Sequence, residues 1–239
     1  MIYLDNAASS FPKPQSVVSR AVTFLRENGA NPGRSGHFLS AQASEAVFEV
    51  RDLAASFFSA DPESVVFTKN ATEGLNCAIA GLSEKGKTCV ISDIEHNSVI
   101  RPVMRLKQRG ETSVFVLKTG ENMFSELEKK LSAGRISFVA MSHASNVTGE
   151  ILPLEEVYSH CQKSWIPLIN DASQTAGFLE YEPGDILCMP GHKGLYGPQG
   201  TGLMIFRNRE LLPRIRPLLA GGTGTDSAAV GIQLPHDHL

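Results

Sequence analysis

Short runs of apolar residues alternate with amphipathic stretches along most of the chain. The apolar runs predict seven strands, at residues 65–67, 89–92, 114–117, 136–141, 167–169, 186–189 and 202–206. The amphipathic stretches predict helices over about 40–58, 72–82, 97–109, 124–132 and 154–165. Short apolar runs separated by amphipathic helices are typical of parallel strands that are buried on both faces. The pattern therefore predicts one α/β domain built on a doubly wound sheet.

The first predicted helix follows an N-terminal arm and carries a long apolar stripe. Helical spacing places eight apolar residues on this stripe, namely Ala43, Ala46, Val47, Val50, Leu53, Ala54, Phe57 and Phe58. Such spacing indicates an amphipathic helix.

The composition is that of an ordinary globular protein and narrows the possible functions. Of the 239 residues, 42% are hydrophobic and 20% are charged, which argues against a disordered chain. The formal net charge of −3 lacks the basic excess that binding to nucleic acid requires. The N-terminus does not have the pattern of a signal peptide, and no apolar run approaches the length of a membrane span. We therefore expect a cytoplasmic protein that binds neither nucleic acid nor a membrane.

Polar residues follow five of the predicted strands, at the positions where an open α/β sheet binds its ligands. In chain order they are the segment 68–74, then Asp93, Glu95 and His96, then Ser142, His143 and Asn146, then Asn170, Asp171 and Gln174, and finally His192 and Lys193. Any one of them is more often an ordinary cap or loop residue. Five such groups at one edge of a sheet indicate a ligand site.

Four of these residues carry functional groups that together match pyridoxal phosphate (PLP). Thr72 at a helix start can bind a phosphate, although taken alone it favours a plain N-cap. Asp171 at the end of a buried strand needs a positive partner, such as a protonated ring nitrogen or a metal. His96 can stack on a ring, and Lys193 carries an amine that can condense with an aldehyde. A phosphate, a ring nitrogen and an aldehyde together describe PLP.

Six segments of the sequence resemble those of a known enzyme family. They are LDNAAS (4–9), TKNATEGLN (68–76), EHNS (95–98), SNVTGE (145–150), NDASQ (170–174) and GHKGLYGPQGTG (191–202). In this order they resemble the class V aminotransferases, and most closely the cysteine desulfurase and selenocysteine lyase branch. The resemblance implies a PLP-dependent transferase of fold type I, with a three-layer α/β/α large domain and a mostly parallel sheet. It also implies a homodimer that acts on an amino acid, L-cysteine or L-selenocysteine.

The resemblance also implies roles for individual residues. Lys193 would form the Schiff base with the cofactor, Asp171 would pair with the ring nitrogen, and His96 would stack on the ring. Lys193 and His96 would thus be the catalytic residues. The other implied cofactor-binding residues are Ala71, Thr72 and His192 toward the phosphate, Asn146 and Gln174 near the ring hydroxyl, and Thr223 toward the phosphate of a neighbouring subunit.

The chain departs from the family pattern in two places. Pro190 stands where many relatives have a serine before Gly-His-Lys, so one phosphate contact is lost or replaced. The family also has a C-terminal region that carries a carboxylate-binding arginine and a sulfur-accepting cysteine, and the sequence ends at Leu239 without them. We therefore interpret residues 1–239 as the PLP-binding large domain with its N-terminal arm, with the C-terminal small domain largely absent.

The cysteines that are present do not match the acceptor position of the family. All four fall in predicted strands or helices, where cysteine is usually a small buried hydrophobe; they are Cys77, Cys89, Cys161 and Cys188. We expect an enzyme of the cysteine desulfurase type, which converts L-cysteine to L-alanine and an enzyme-bound persulfide, with impaired activity and a sulfur-acceptor protein as partner. A non-catalytic PLP-binding fragment, a selenocysteine lyase or another class V aminotransferase are the alternatives within the family.

Two further alternatives belong to other classes of protein. Residues 81–88 match the Walker A pattern of nucleotide triphosphatases, but they lie between a predicted helix and a predicted strand, the reverse of a working P-loop. A zinc or iron site could instead be formed by four residues, which are His96, His143, Asp171 and His192. Neither alternative explains Lys193, and both rank below a PLP enzyme without a metal.

Overall fold

The computed structural model describes residues 2–32, 36–215 and 218. Its centre is a seven-stranded sheet with the strand order β1-β7-β6-β5-β4-β2-β3. The strands are β1 (Val65–Thr68), β2 (Thr88–Ser92), β3 (Ser113–Leu117), β4 (Ile136–Ser142), β5 (Leu168–Asp171), β6 (Ile186–Pro190) and β7 (Gly202–Phe206). All seven predicted strands are therefore present, and each predicted boundary is within two residues of the observed one.

Six α-helices and two short 3₁₀ turns connect these strands in the described part of the chain. The helices are α1 (Gln15–Glu27), α2 (Phe38–Phe58), α3 (Ala71–Leu82), α4 (Asn97–Gln108), α5 (Met123–Ser132) and α6 (Leu154–Lys163), and the 3₁₀ turns are Pro62–Ser64 and Arg209–Arg214. None of the described helices is both long enough and apolar enough to cross a membrane.

The sheet is mostly parallel, but β7 runs antiparallel to both of its neighbours, β1 and β6. This confirms the expected mostly parallel sheet, in which β7 is the exception. The physical reason lies in the connection from β6 to β7, which spans residues 191–201 and contains no helix. A parallel pair needs a crossover of a dozen or more residues, usually a helix, so this shorter loop returns β7 along the opposite direction.

Helices cover both faces of the sheet and form a three-layer α/β/α domain. Alternate strand residues point to opposite faces, so Cys89 and Ile91 pack with α3 and α4 on one side, whereas Val90 packs with α5 and α6 on the other. Helix α2 packs against the sheet through Ala55 and Phe58, which contact residues of β1, β6 and β7. This arrangement confirms the predicted fold class.

The N-terminal region contains helix α1, where the sequence predicted only an arm. Helix α1 has no buried residue, and its Arg20 pairs with Glu49 of α2 at 3.5 Å. The predicted stripe on α2 also packs only in part, because Ala43 and Phe58 are buried whereas other members are exposed. We call the exposed apolar residues of these two helices the α1–α2 apolar face; they are Val18, Val22, Leu25, Phe38, Leu39, Phe48, Val50, Leu53 and Phe57.

Candidate cofactor site

A cavity of about 240 Å³ lies at the carboxyl ends of the parallel strands. This edge includes the point where the strand order reverses, because the chain passes from β2 outward to β3 and then returns to β4 on the other side of β2. Ligands of open α/β sheets bind at such points. The cavity is lined by Ala8, Asn70, Ala71, Thr72, His96, Ser98, Ser142, Ala144, Asn146, Asp171, Ser173, Gln174, Pro190, His192 and Lys193.

The structure brings together all of the described residues that the sequence singled out as a cofactor site. Eight of them line the cavity, namely Ala71, Thr72, His96, Asn146, Asp171, Gln174, His192 and Lys193. Thr223, the ninth, lies outside the residues that the structure describes.

One end of the cavity is formed by the start of α3 and suits an anion. The side chain of Asn70 caps this helix by accepting a hydrogen bond from the backbone N–H of Glu73 at 2.9 Å. The N–H groups of the first helical residues, Ala71 and Thr72, have no partner within the helix, and the helix dipole adds positive potential there. His192 also contributes, because its buried Nδ1 atom has no hydrogen-bond partner among the residues that the structure describes. These groups fit a phosphate.

The ring of His96 is fixed by a short chain of hydrogen bonds. Its Nδ1 atom accepts a hydrogen bond from the backbone N–H of Ser98 at 3.1 Å, and thereby caps α4. The Ser98 hydroxyl lies 2.9 Å from Nδ1 and 2.7 Å from the hydroxyl of Thr72. Because Nδ1 accepts a hydrogen bond, the neutral ring carries its proton on Nε2. Ser98 thus links the ring of His96 to the anion end of the cavity.

Asp171 ends β5 and is only 3% exposed. Its Oδ1 atom accepts hydrogen bonds from the backbone N–H of Ser173, at 3.0 Å, and from the Ser173 hydroxyl. Burial raises the pKa of Asp171, while these hydrogen bonds and the nearby His96 and Lys193 act in the opposite direction. A buried carboxylate of this kind is stabilised by a cationic partner such as a protonated ring nitrogen.

Lys193 follows β6 and is half-buried in the cavity wall. Burial lowers the pKa of its amine, whereas the Asp171 carboxylate raises it. The lysine is carried on a tight loop: a Cβ atom on Gly194 would lie 2.1 Å from the carbonyl oxygen of Ala176, and one on Gly191 would lie 2.2 Å from Thr201 Oγ1. Glycine is required at both positions for this close approach, which explains the local Gly-His-Lys-Gly sequence.

The arrangement of these groups fits PLP. The unpartnered Nδ1 of His192 and the start of α3 provide an anion site, Asp171 provides a buried carboxylate, and Lys193 provides an amine with a lowered pKa. PLP carries the three complementary groups, a phosphate, a basic ring nitrogen and an aldehyde. Desolvation of the amine favours the neutral, nucleophilic form that condenses with an aldehyde.

Glu95 is a buried acid beside the cavity, which the sequence placed at this edge of the sheet without a role in cofactor binding. Its carboxylate accepts hydrogen bonds from the Ser142 backbone N–H at 2.9 Å, from the Ser142 hydroxyl at 2.8 Å and from the Ser92 hydroxyl. Burial raises the pKa of Glu95 to about 7, and the charge of Asp171 adds to this effect. Glu95 thus joins the ends of β2 and β4 where the strand order reverses. The sequence signal that could have assigned Glu95 to the site was its position directly before His96.

Several smaller residues at the cavity were also missed by sequence reasoning. Ser98 and Ser173 line it, although each lies within a segment that carries the family resemblance. Ala8 of the N-terminal arm lines it too, and the Gln174 amide donates a hydrogen bond to the neighbouring carbonyl of Ala7 at 3.2 Å. The arm therefore forms part of the wall.

The two alternatives from other classes find no support in the geometry. Residues 81–88 run from the end of α3 through a turn into β2, where Lys87 pairs with Glu84 at 2.6 Å. His143 is separated from the other candidate metal ligands, because its Nδ1 atom lies 2.7 Å from Glu182 and its side chain is absent from the cavity wall. In the described ranges, no group of three or more His, Cys, Asp or Glu residues could hold a metal ion.

All four cysteines are free and buried. Burial raises the pKa of Cys77 and Cys89 to about 11 and that of Cys161 to about 12. The pKa of Cys188 is also raised, by burial first and then by the charge of Asp171. These thiols remain protonated at neutral pH, which agrees with the expectation that they are structural.

The three-layer fold, with the cavity groups at the carboxyl edge of its sheet, is that of the PLP-dependent enzymes of fold type I. The model of the class V aminotransferase family matches residues 2–233, and the chain belongs to this family. This match confirms the family and the PLP dependence that the sequence segments indicated.

Relatives of the chain include cysteine desulfurases. A probable cysteine desulfurase from Methanothermobacter thermautotrophicus is 32% identical over 234 residues, which cover 92% of this chain and 56% of the relative. The apo structure of cysteine desulfurase from Thermococcus onnurineus NA1 has a TM-score of 0.85 and 32% identity, with coverage of 98% and 60%. SspA in complex with cysteine has a TM-score of 0.81 and 27% identity, with coverage of 94% and 66%. The chain thus spans less than two thirds of the length of each relative.

Proposed function

We propose that the chain is the PLP-binding large domain of an enzyme of the cysteine desulfurase type, which takes sulfur from L-cysteine and leaves L-alanine. The observation that carries this proposal is the meeting of Lys193, Asp171 and the anion end of α3 in one cavity. The relatives named cysteine desulfurase and the neighbour SspA in complex with cysteine support L-cysteine as the substrate.

Each residue has a definite task in this proposal. When bound, PLP supplies an aldehyde for covalent attachment and a ring that withdraws electrons from the substrate. Asp171 would pair with the protonated ring nitrogen, and the Nζ atom of Lys193 would be the base that takes the α-proton of the substrate. The lowered pKa of Lys193 increases the fraction of neutral amine that can act as a base. His96 would stack on one face of the ring.

The remaining cofactor contacts belong to the residues on either side of the ring. In the proposal, Ala71, Thr72 and His192 bind the phosphate through backbone N–H, hydroxyl and ring groups. Asn146 and Gln174 line the same cavity and would lie near the ring hydroxyl, and Asn146 would also be near the substrate carboxylate.

The sulfur acceptor in this proposal is a thiol other than the four cysteines of the chain. A thiol attacks the substrate sulfur as a thiolate, and the raised pKa values of the buried cysteines oppose that form. An added small thiol or a sulfur-acceptor protein would then take up the sulfur.

Absorbance spectroscopy of the chain with added PLP tests the proposal. We expect a visible-range band that is present in the wild-type chain and absent from Lys193→Ala, because only the Lys193 amine attaches to the aldehyde. Addition of L-cysteine and a small thiol should then release alanine and sulfide, with L-selenocysteine as a second substrate. A wild-type chain without the band would refute the cofactor site. A band without turnover would reduce the proposal to a PLP-binding chain.

We further propose that the functional unit is a homodimer. The α1–α2 apolar face supports this proposal, because these two helices expose nine large apolar side chains, and exposed apolar surface of this kind marks an interaction site. In this dimer Thr223 is the expected contact with the phosphate of the neighbouring subunit. The four free cysteines favour a reducing compartment, which supports a cytoplasmic location.

A further inference from the structure

The backbone carbonyl of His192 is the meeting point of several donors from the N-terminal arm. It accepts hydrogen bonds from the Ser10 backbone N–H at 2.9 Å and from the Ser10 hydroxyl at 3.1 Å. The Lys13 amine donates at 3.1 Å and the Ser9 hydroxyl at 3.3 Å. A carbonyl oxygen has two lone pairs, so four donors exceed what hydrogen-bond satisfaction of this atom requires. Four hydrogen bonds from the arm therefore converge on one peptide group of the site.

The arm is itself folded into a compact loop before it reaches this carbonyl. The carbonyl of Asp5 accepts hydrogen bonds from the backbone N–H of Ala8 at 3.1 Å and of Ser9 at 3.3 Å. The Tyr3 hydroxyl donates to the carbonyls of Asp5, at 3.0 Å, and Ser9, at 2.9 Å. The hydrogen bond from Gln174 to Ala7 provides a second attachment to the cavity rim. The arm can thus act as a rigid support.

Lys13 has unusual surroundings for a lysine that is partly buried. Its amine donates to the Ser10 hydroxyl at 2.8 Å and to the His192 carbonyl, and it forms no ion pair with any carboxylate in the described ranges. Burial also lowers the pKa of Lys13. The charge of this amine is therefore directed at the peptide dipole of His192, and a hydrogen bond with a charged donor is stronger than a neutral one.

The carbonyl of His192 belongs to the peptide bond that leads into Lys193. Gly191 precedes this pair and Gly194 follows it, and both glycines pack too closely against Thr201 and Ala176 to carry a side chain, so the carbonyl of His192 lies within a tight loop. The Lys193 side chain has several rotatable bonds of its own. An external anchor on this peptide would restrict the directions in which the Lys193 amine can point.

We propose that Lys13 is a positioning residue for Lys193. By holding the carbonyl of His192, Lys13 and the folded arm orient the amine of Lys193 toward the carbon of the cofactor aldehyde. The inference rests on the proposed function, in which the cavity takes PLP. In the attachment step the Lys193 nitrogen forms a C=N bond with the aldehyde carbon, and the aldehyde oxygen leaves as water with the two protons of the neutral amine.

A comparison of two cofactor forms separates positioning of Lys193 from a general effect on the site. PLP requires attack by the Lys193 amine, whereas pyridoxamine phosphate has the same ring and phosphate but no aldehyde, and binds without that step. In Lys13→Met, which keeps an unbranched apolar side chain and removes the amine donor, we expect PLP attachment to slow by about tenfold, the usual effect of losing one charge-assisted hydrogen bond. The affinity for pyridoxamine phosphate should stay within about twofold, and Lys13→Arg should restore most of the attachment rate.

The experiment uses stopped-flow absorbance for PLP attachment, equilibrium titration for pyridoxamine phosphate, and circular dichroism melting to establish that each variant is folded. Equal PLP attachment rates in the wild type and Lys13→Met would overturn the inference. A loss of affinity for pyridoxamine phosphate as large as the loss in PLP attachment rate would also overturn it. Ser10→Ala, which removes one hydroxyl donor, should shift the rate in the same direction by a smaller factor, and it decides the question if Lys13→Met does not fold. A wild-type chain that never attaches PLP would refute the proposed function itself.

Discussion

At the scale of single residues, the sequence could identify some members of the site, whereas others depend on contacts between residues that are distant in the chain. Lys193, Asp171 and His96 each follow a strand and carry distinctive chemistry, so their position in the chain predicted the cavity. Glu95 is different because its main partner, Ser142, lies 47 positions away. Nothing in the local sequence pairs these two residues, and the contact exists only because β2 and β4 are neighbours in the sheet.

The buried carboxyl of Glu95 predicts a stability change with pH. Its pKa of about 7 in the folded chain lies above the ordinary value of 4.5, so the folded state keeps a proton that the unfolded state loses between those pH values. Stability due to this group is therefore complete below pH 4.5 and falls as the pH rises to about 7. Glu95→Gln is neutral throughout, and it should gain about 3 kcal/mol relative to the wild type across this range.

Denaturant unfolding of the chain without PLP, measured at several pH values across this range, checks the prediction. Glu128→Gln on α5 is the matched control, because Glu128 is exposed and should show a constant offset from the wild type. A constant offset for Glu95→Gln as well would contradict a raised pKa at Glu95.

At the scale of elements, apolar periodicity located the strands well but could not orient them. A strand that runs antiparallel has the same alternation and burial as a parallel one, so β7 gave no sign of its direction. Helix α1 shows a related limit. Residues Val18, Val22 and Leu25 have helical spacing, but the helix buries none of its residues in the described chain, and burial is the basis on which apolar patterns are usually interpreted.

The reversed direction of β7 brings its first residue against the start of α3. A Cβ atom on Gly202 would lie 2.8 Å from Thr68 Oγ1 and 2.9 Å from the Cα and carbonyl carbon of Asn70. Gly202→Ala should therefore displace the N-cap of α3, with a loss of about 1–3 kcal/mol of stability from overpacking. Because this helix start is the proposed phosphate site, PLP affinity should fall as well.

Thermal melting and PLP titration of Gly202→Ala test both effects. Gly36→Ala serves as the control, since a Cβ atom there meets no atom within 4 Å and the backbone needs no left-handed conformation. Unchanged PLP affinity in Gly202→Ala would show that the start of α3 does not contribute to the cofactor site.

At the scale of the whole molecule, the sequence predicted a three-layer domain but not which of its surfaces would be left uncovered. The apolar stripe of α2 was visible in the sequence, yet Leu53 is 69% exposed and Phe57 is 59% exposed. Periodicity reports that a helix has an apolar face, but it does not report whether that face meets the same chain or another.

The α1–α2 apolar face predicts self-association of the chain. In sedimentation velocity across a range of protein concentrations, we expect the wild type to form species larger than 25.8 kDa. The double variant Leu25→Lys with Leu53→Lys should remain a monomer, because it places two charges on this face. Trp165→Lys is the control, since Trp165 is 92% exposed but lies after α6. A wild type that sediments only as a monomer would argue against the proposed homodimer.

The position of β1 in the sheet has a consequence for the order in which the molecule can be assembled. β1 is the first of the described strands, yet among them it pairs only with β7, the last, through contacts such as Val65 with Ile205. The arm likewise reaches its support only when His192 is present. During synthesis on the ribosome, both N-terminal pieces must therefore wait, unpaired, for more than a hundred residues to emerge. The exposed edge of β1 is the segment that a chaperone would be expected to protect in the nascent chain.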